Sequence, residues 1–191
     1  MTISLSKGQK ISLQKEAPGL TNLLVGLGWD PVKKKGFFGK LSSGSIDLDA
    51  SVITIDQDKN VSEFIYYGKL KSGDGSIIHD GDNLTGEGEG DDETINIDLT
   101  RIPLSIQHIV VVVNSFTGQT FNDVDNAFCR LVNKSNNNEV CRFELNEKGR
   151  NTGFIMAVIS RDNGDWSVEA KGVAANGRRA HDIVQPILAQ L

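Results

Sequence analysis

The chain has 191 residues, 38% of them hydrophobic and 24% charged, with a formal net charge of -5, enough for one substantial hydrophobic core and read here as a single domain over 1–191. It has no apolar stretch of membrane-spanning length, no apolar signal-peptide core behind Met1 and no basic arm or basic–aromatic patch. Direct membrane insertion and nucleic acid are therefore set aside, and the cytoplasm is the expected compartment.

In chain order, Ile3–Leu5 and Gln9–Leu13 alternate apolar and polar residues, the mark of strands. Leu23–Trp29 is apolar on both faces, as a central strand would be, and Asp30-Pro31 ends it. Lys33–Lys40 is a basic, Gly-rich connection, either a solvated loop or an electrostatic counterpart to the acids described below. Ile46–Asp56 predicts a long strand with Ile46, Leu48, Ala50 and Val52 on one face and Asp47, Asp49 and Ser51 on the other. Asp56–Asn60 reads as a hairpin turn and Ser62–Tyr67 as the returning strand. Ser76–Ile78, Ile95–Leu99 and Gln107–Asn114 are further strands, the last apolar on both faces and so central. A short helical turn is expected at Thr120–Val124, a hairpin over Ala127–Val132 and Val140–Leu145, and a second at Phe154–Lys171 around Asn163-Gly164. Apolar spacing of three and four over His181–Leu191 predicts a short terminal helix, with Pro186 limiting its start. Many short strands without βα alternation imply an all-β fold, an antiparallel β-sandwich of two sheets with a short C-terminal helix.

The chemistry concentrates in Asp80–Glu93, D-G-D-N-L-T-G-E-G-E-G-D-D-E. Seven of these fourteen residues are acidic, more than the net charge of the whole chain, and four are glycines. Crowded carboxylates repel one another, so solvation, basic side chains or a bound cation must offset them. Gly-spaced carboxylates together with Asn83 and Thr85 supply the oxygens that calcium takes in a flexible six-to-eight-fold shell. The plain alternative is a solvated acidic loop. Asp47 and Asp49, side by side on one strand face, form a second half-site or an ordinary solvent face.

Other motifs fail. An EF-hand starting at Asp80 would put Leu84 and Thr85 at positions five and six of the loop, between strands rather than helices. The run Gly86–Gly90 would repel phosphate through Glu87 and Glu89. His79, His108 and His181 are scattered without zinc spacing, and no G-x-S-x-G is present. Cys129 and Cys141 flank a hairpin turn and are read as reduced, buried thiols, with a redox or soft-metal pair as the alternative.

Gly26-Leu27-Gly28-Trp29-Asp30, Asp47-Leu48-Asp49-Ala50-Ser51 and His79–Glu93, in this order and spacing, resemble the TerD family of bacterial tellurite-resistance and stress proteins over nearly the whole chain. The resemblance implies a calcium-binding β-sandwich acting in the cytoplasm with other tellurite-resistance proteins, one of them a membrane-embedded Ter component. It implies no enzymatic activity. Asp47, Asp49, Asp82, Asn83, Asp91, Asp92 and Glu93 match the family motif, and Thr85, Glu87 and Glu89 join them as candidate ligands for two calcium ions. Asp80 is the weakest candidate, because that position is often small and polar in the family. The expected function is a calcium-ordered adaptor in the stress response. A calcium-dependent hydrolase, a carbohydrate-binding module using Trp29, Trp166, Tyr66 and Tyr67, and tellurite handling by the two cysteines are the other readings.

Overall fold

The computed structural model describes residues 5–30, 32–35, 41–44, 46–86, 90–145, 149–162 and 164–191. Thirteen strands are found among them. They are β1 (Lys10–Ser12), β2 (Asn22–Asp30), β3 (Val32–Lys35), β4 (Leu41–Gly44), β5 (Leu48–Asp56), β6 (Val61–Ile65), β7 (Ile77–His79), β8 (Glu93–Asp98), β9 (Ile106–Ser115), β10 (Asp125–Asn133), β11 (Asn138–Glu144), β12 (Gly153–Asp162) and β13 (Asp165–Ala175). A six-stranded sheet runs β1-β13-β12-β9-β5-β6, a five-stranded sheet runs β11-β10-β2-β8-β7, and β3 pairs with β4 alone. The strand pairs in all three sheets are antiparallel.

The two sheets pack face to face. Leu23, Val25 and Leu27 of β2 and Ile95 and Ile97 of β8 meet Leu48, Ala50 and Val52 of β5 and Ile109, Val111 and Val113 of β9 in one buried cluster. A second cluster explains why β9 is apolar on both faces. Val110 and Val112, with Ile53, Ile55, Ile155 and Val158, lie on the outer side of the six-stranded sheet, where Ala180, Ile183 and Ile187 of the C-terminal segment cover them. That segment is a 3-10 turn (Ala180–Ile183) followed by a helix over Val184–Leu188, shorter than the spacing over 181–191 predicts. Pro186 falls in its first turn, where no backbone N–H is needed.

Other differences are local. The strand expected through Leu13 stops at Ser12, whose hydroxyl accepts from Lys15 N and caps a one-turn helix, α1 (Leu13–Glu16), with Leu13 buried. Of the strand expected at 3–5, only Leu5 is described; it bridges to Cys141. The basic connection is in part a hairpin, β3 with β4, and residues 36–40 lie outside the described ones. The strand after the Asp56–Asn60 turn ends at Ile65, and Tyr66 bridges to Lys69 in the next turn. Cys129 and Cys141 lie on facing strands but out of register, opposite Phe143 and Leu131. Burial pushes the Cys141 thiol up to about 12, so it stays protonated and unreactive.

Candidate metal centre

The site is built on an unpaired stretch of strand. On one side β5 is matched by β9 along its whole length, but on the other β6 pairs only with Val52–Ile55. The start of β5 therefore presents an open edge, and Asp82 and Glu93 of the acidic segment meet it. Glu93, the first residue of β8 and only 1% exposed, reaches across from the opposite sheet. Its Oε2 accepts from Ala50 N at 2.8 Å and its Oε1 from Asn83 N at 3.2 Å. His79 accepts from Gly81 N at Nδ1, so the neutral ring carries its proton on Nε2, 3.6 Å from Glu93 Oε2.

Further contacts hold the described residues of the segment. Asn83 Oδ1 accepts from Thr85 N and Gly86 N, a local turn typical of Asn. Its Nδ2 donates to Asp92 Oδ1, while Asp92 Oδ2 accepts from Trp29 N at 2.9 Å. Gly86, at φ +65°, lies on the Trp29 indole, where a Cβ would collide with the ring. The indole N–H in turn donates to Ile46 O at 2.8 Å, just ahead of β5. Gly26 and Gly28 leave the outer face of β2 bare, so that the Asp91 carboxylate and the Gly90 carbonyl occupy the space of their missing side chains. Asp92 N then donates to Leu27 O at 2.7 Å.

The candidate residues thus fall into distinct environments. Asp91 is forked by Arg130, with Nε–Oδ1 at 2.8 Å and Nη2–Oδ2 at 2.9 Å, a bidentate pair. Asp92 is raised above the usual carboxylate range, chiefly by burial, with the Trp29 N–H opposing. Asp80 accepts from Thr94 Oγ1 and Asn96 Nδ2 on the outside of β8. Thr85 is exposed, and Glu87 and Glu89 lie outside the described residues.

Asp47, Asp49 and Asp82 come together, with one carboxylate oxygen of each within 4.8 Å of the others. Asp47 and Asp49 are only 8% and 4% exposed, not a solvent face, whereas Asp82 is exposed. Asp47 Oδ1 and Asp49 Oδ2 have no hydrogen-bond partner among the described residues. Burial is the main reason their carboxyls titrate high, and the neighbouring acids add to it: Asp47 is pushed up to about 6 and Asp49 to about 8. Buried, unpartnered anions are costly, and a bound cation removes that cost. Oxygens around one calcium ion lie at most about 5.2 Å apart, twice the longest usual Ca–O distance, so these three fit one ion. An all-oxygen donor set suits calcium and not zinc.

An aromatic and cationic rim adjoins the site. Phe116 N donates to Asp47 O at 3.0 Å. The Arg179 guanidinium lies 5.5 Å from the Phe116 ring centre, and the Tyr67 ring packs edge-on against Phe116 at 5.6 Å. Tyr66 continues the rim toward His181, which stacks on Phe64 at 3.7 Å.

Sequence reasoning did not find Arg130, His79 or the seating of the loop on Gly26 and Gly28. Paired glycines inside an apolar strand are a signal of close backbone approach, but their occupant is more than sixty residues away.

A two-sheet antiparallel sandwich with an acidic segment laid across one end, beside two buried aspartates, defines the class as an oxygen-site β-sandwich. The TerD domain model matches residues 1–184, and the chain belongs to the TerD domain family, whose members are tellurite-resistance and stress-response proteins. The chain is 47% identical to the tellurium resistance protein TerZ of Serratia marcescens, covering 98% of this chain and 97% of that one. It is 45% identical to the stress response protein SCP2 of Bacillus subtilis, over 96% of this chain and 98% of that one. The fold is shared with the crystal structure of a TerD homologue from Streptomyces coelicolor A3(2), with a TM-score of 0.75, 22% identity and coverage of 87% and 96%.

Proposed function

We propose that the protein binds calcium through Asp47, Asp49 and Asp82 and acts as a calcium-ordered adaptor of the tellurite-resistance and chemical-stress response. The observation that carries this reading is a pair of buried aspartates, each with an oxygen that has no hydrogen-bond partner among the described residues, grouped with a third carboxylate at ion-sharing distance. A second ion would take the open cleft lined by Asp80, Asp82, Asn83, Asp91 and Asp92. The adjoining rim supports a protein-binding role, since tyrosine and arginine are the residues most enriched at interface hot spots. Its partners would be other tellurite-resistance proteins, including a membrane-embedded Ter component, met from the cytoplasm. Among the described residues no helix is long and apolar enough to cross a membrane. Adaptor function is favoured over hydrolysis because, among the described residues, no histidine or cysteine joins the group formed by Asp47, Asp49 and Asp82.

Calorimetry should give calcium binding at micromolar affinity or better and much weaker magnesium binding, because Asp82 comes from a Gly-rich segment that can adapt to calcium's large, irregular shell. No calcium heat, or equal affinity for both ions, rules the reading out. Hydrogen exchange gives the structural counterpart. Chelation should expose the amides of 80–93 while β9 and β12, buried in both clusters, keep their protection. An ion bound only by the folded form adds about 2.7 kcal/mol at a hundredfold excess over Kd, so the melting temperature should fall on chelation. Loss of protection across β9 and β12 would make calcium a condition of folding instead.

The raised carboxyls set the pH dependence. Without calcium the folded state holds protons that the unfolded chain, titrating near 3.8, has released. Stability therefore falls as pH rises from about 4 through about 8. Calcium must displace those protons, so its affinity should rise about tenfold per pH unit from 6 to 8, where Asp49 alone is protonated, and more steeply below 6. Melts in chelator and calorimetry across this range check both signs. A pH-independent affinity would mean that Asp49 is not a ligand.

A further inference from the structure

Asn114 lies on β9 as the register partner of Asp49 on β5 and of Gly153 on β12. Directly paired residues on neighbouring antiparallel strands share a face, with Cβ atoms roughly 4.5–5.5 Å apart. Asn114 therefore stands beside Asp49 on the outer side of the six-stranded sheet, and it is fully buried. Its carboxamide orientation is fixed from one end. Nδ2 donates to Gly177 O at 2.9 Å, over the space left by the missing side chain of Gly153. Oδ1 has no hydrogen-bond partner among the described residues, and neither has Oδ2 of its register partner Asp49. Two orphaned oxygens on register-paired neighbours would be a standing cost to the fold unless something shared lies between them.

We propose that the side-chain carbonyl of Asn114 is a neutral ligand of the same cation, extending the site from β5 onto β9. The inference rests on the calcium reading. Chemically, an amide oxygen adds to the ion's shell without adding a fourth negative charge to three crowded carboxylates, and calcium accepts Asn oxygens readily. The other end of the amide gives the ligand a second consequence. A cation on Oδ1 draws electron density from the carboxamide and makes its N–H a stronger donor to Gly177 O. Gly177 also exchanges hydrogen bonds with Thr152 Oγ1 at 3.1 and 3.3 Å. It is the turn from which the C-terminal segment departs to cover the second cluster. Asn114 is thus a bridge between the ion and that turn.

The wild-type protein supplies the first test. In amide NMR the Asn114 side-chain NH2 pair should shift on calcium addition and return on chelation, and it should show slowed rotation about the C–N bond. An Asn114 side-chain signal that does not move while the Asp82 and Asp49 amides do would overturn the inference and leave the calcium reading standing. Titration of variants supplies the second. Asn114→Ala should weaken calcium binding about tenfold, whereas Thr152→Val, which loosens the same Gly177 turn without touching the ion, should stay within twofold of wild type. Equal weakening by both variants would mean that Asn114 acts only through the turn, and no weakening by either would mean that it plays no part; each result overturns the ligand assignment. Absence of any calcium response in the wild type removes the underlying reading and this inference with it.

Discussion

Asp49→Asn is expected to weaken calcium binding at least tenfold, about 1.4 kcal/mol, while making the ion-free protein more stable. The two effects have opposite signs because they have one cause. Asp49 is 4% exposed, its Oδ2 lacks a partner, and burial together with Asp47, Glu93 and Asp82 pushes its carboxyl up to about 8. Ionised, it destabilises the empty protein and attracts the cation. Asparagine keeps the shape, removes the charge, and brings an N–H that the neighbouring carboxylates can accept. The stabilisation should be largest above pH 8, where the wild-type residue is ionised. Melts in chelator at pH 9 and calcium calorimetry at pH 8 read the two effects separately. If affinity and ion-free stability both fall, Asp49 is part of the framework and the metal site lies elsewhere. An unchanged affinity would reduce it to an ordinary buried acid.

Gly28→Ala should cost roughly 1–3 kcal/mol, the usual penalty for overfilling a packed position, and should lower calcium affinity as well. A methyl group there meets the Gly90 carbonyl and the Phe128 ring at once. Gly90 itself sits at φ +94°, a conformation that favours glycine, and the Gly90–Asp92 stretch must give way to the intrusion. Lifting it from β2 breaks the Asp92 N–Leu27 O bond and displaces Asp91 from the Arg130 fork. For a chain of this length each kcal/mol corresponds to about 2–4 °C in melting temperature. A melt and an affinity like those of the wild type would mean that the segment is not seated on the strand.

The sandwich was legible because its signals are local. Period-two alternation marks β8 and β13, and apolar runs on both faces mark β9 and β12 as central. Asn163-Gly164 announces the hairpin that joins β12 to β13. The second cluster was half legible, since two apolar faces on β9 require two covers. The short terminal helix did not identify itself as the second cover, because nothing local says where a segment docks. The site divides in the same way. Asp47 and Asp49 on one strand face follow from the pleat, and the crowding of acids in 80–93 follows from counting. Which acid meets a cation and which meets a protein donor does not follow, because it depends on partners far along the chain. Arg130, taking Asp91 out of the pool of unpaired charge, is thirty-nine residues away. Ala50 N, which engages Glu93, is forty-three away and free to do so only because β6 stops short. Leu13 is a smaller case: its alternation reads as strand, but the Ser12 hydroxyl offers a helix cap that prevails.

Glu93 and Trp29 have a mechanical meaning. One is rooted in β8 and the other in β2, both in the five-stranded sheet, yet each grips the start of the opposite sheet, at Ala50 N and Ile46 O. In the shared cluster between them the two layers adhere through apolar side chains, which resist separation but yield readily to sliding. At this end directional polar bonds act as rivets, so the sandwich is a hinge-bound book with its spine beside the acidic segment. Force applied between the layers at the far end would open the pages. The same force applied at the spine must break hydrogen bonds, and with an ion in place it must break ionic contacts too. A partner pulling on this end of the molecule would therefore meet its stiffest point.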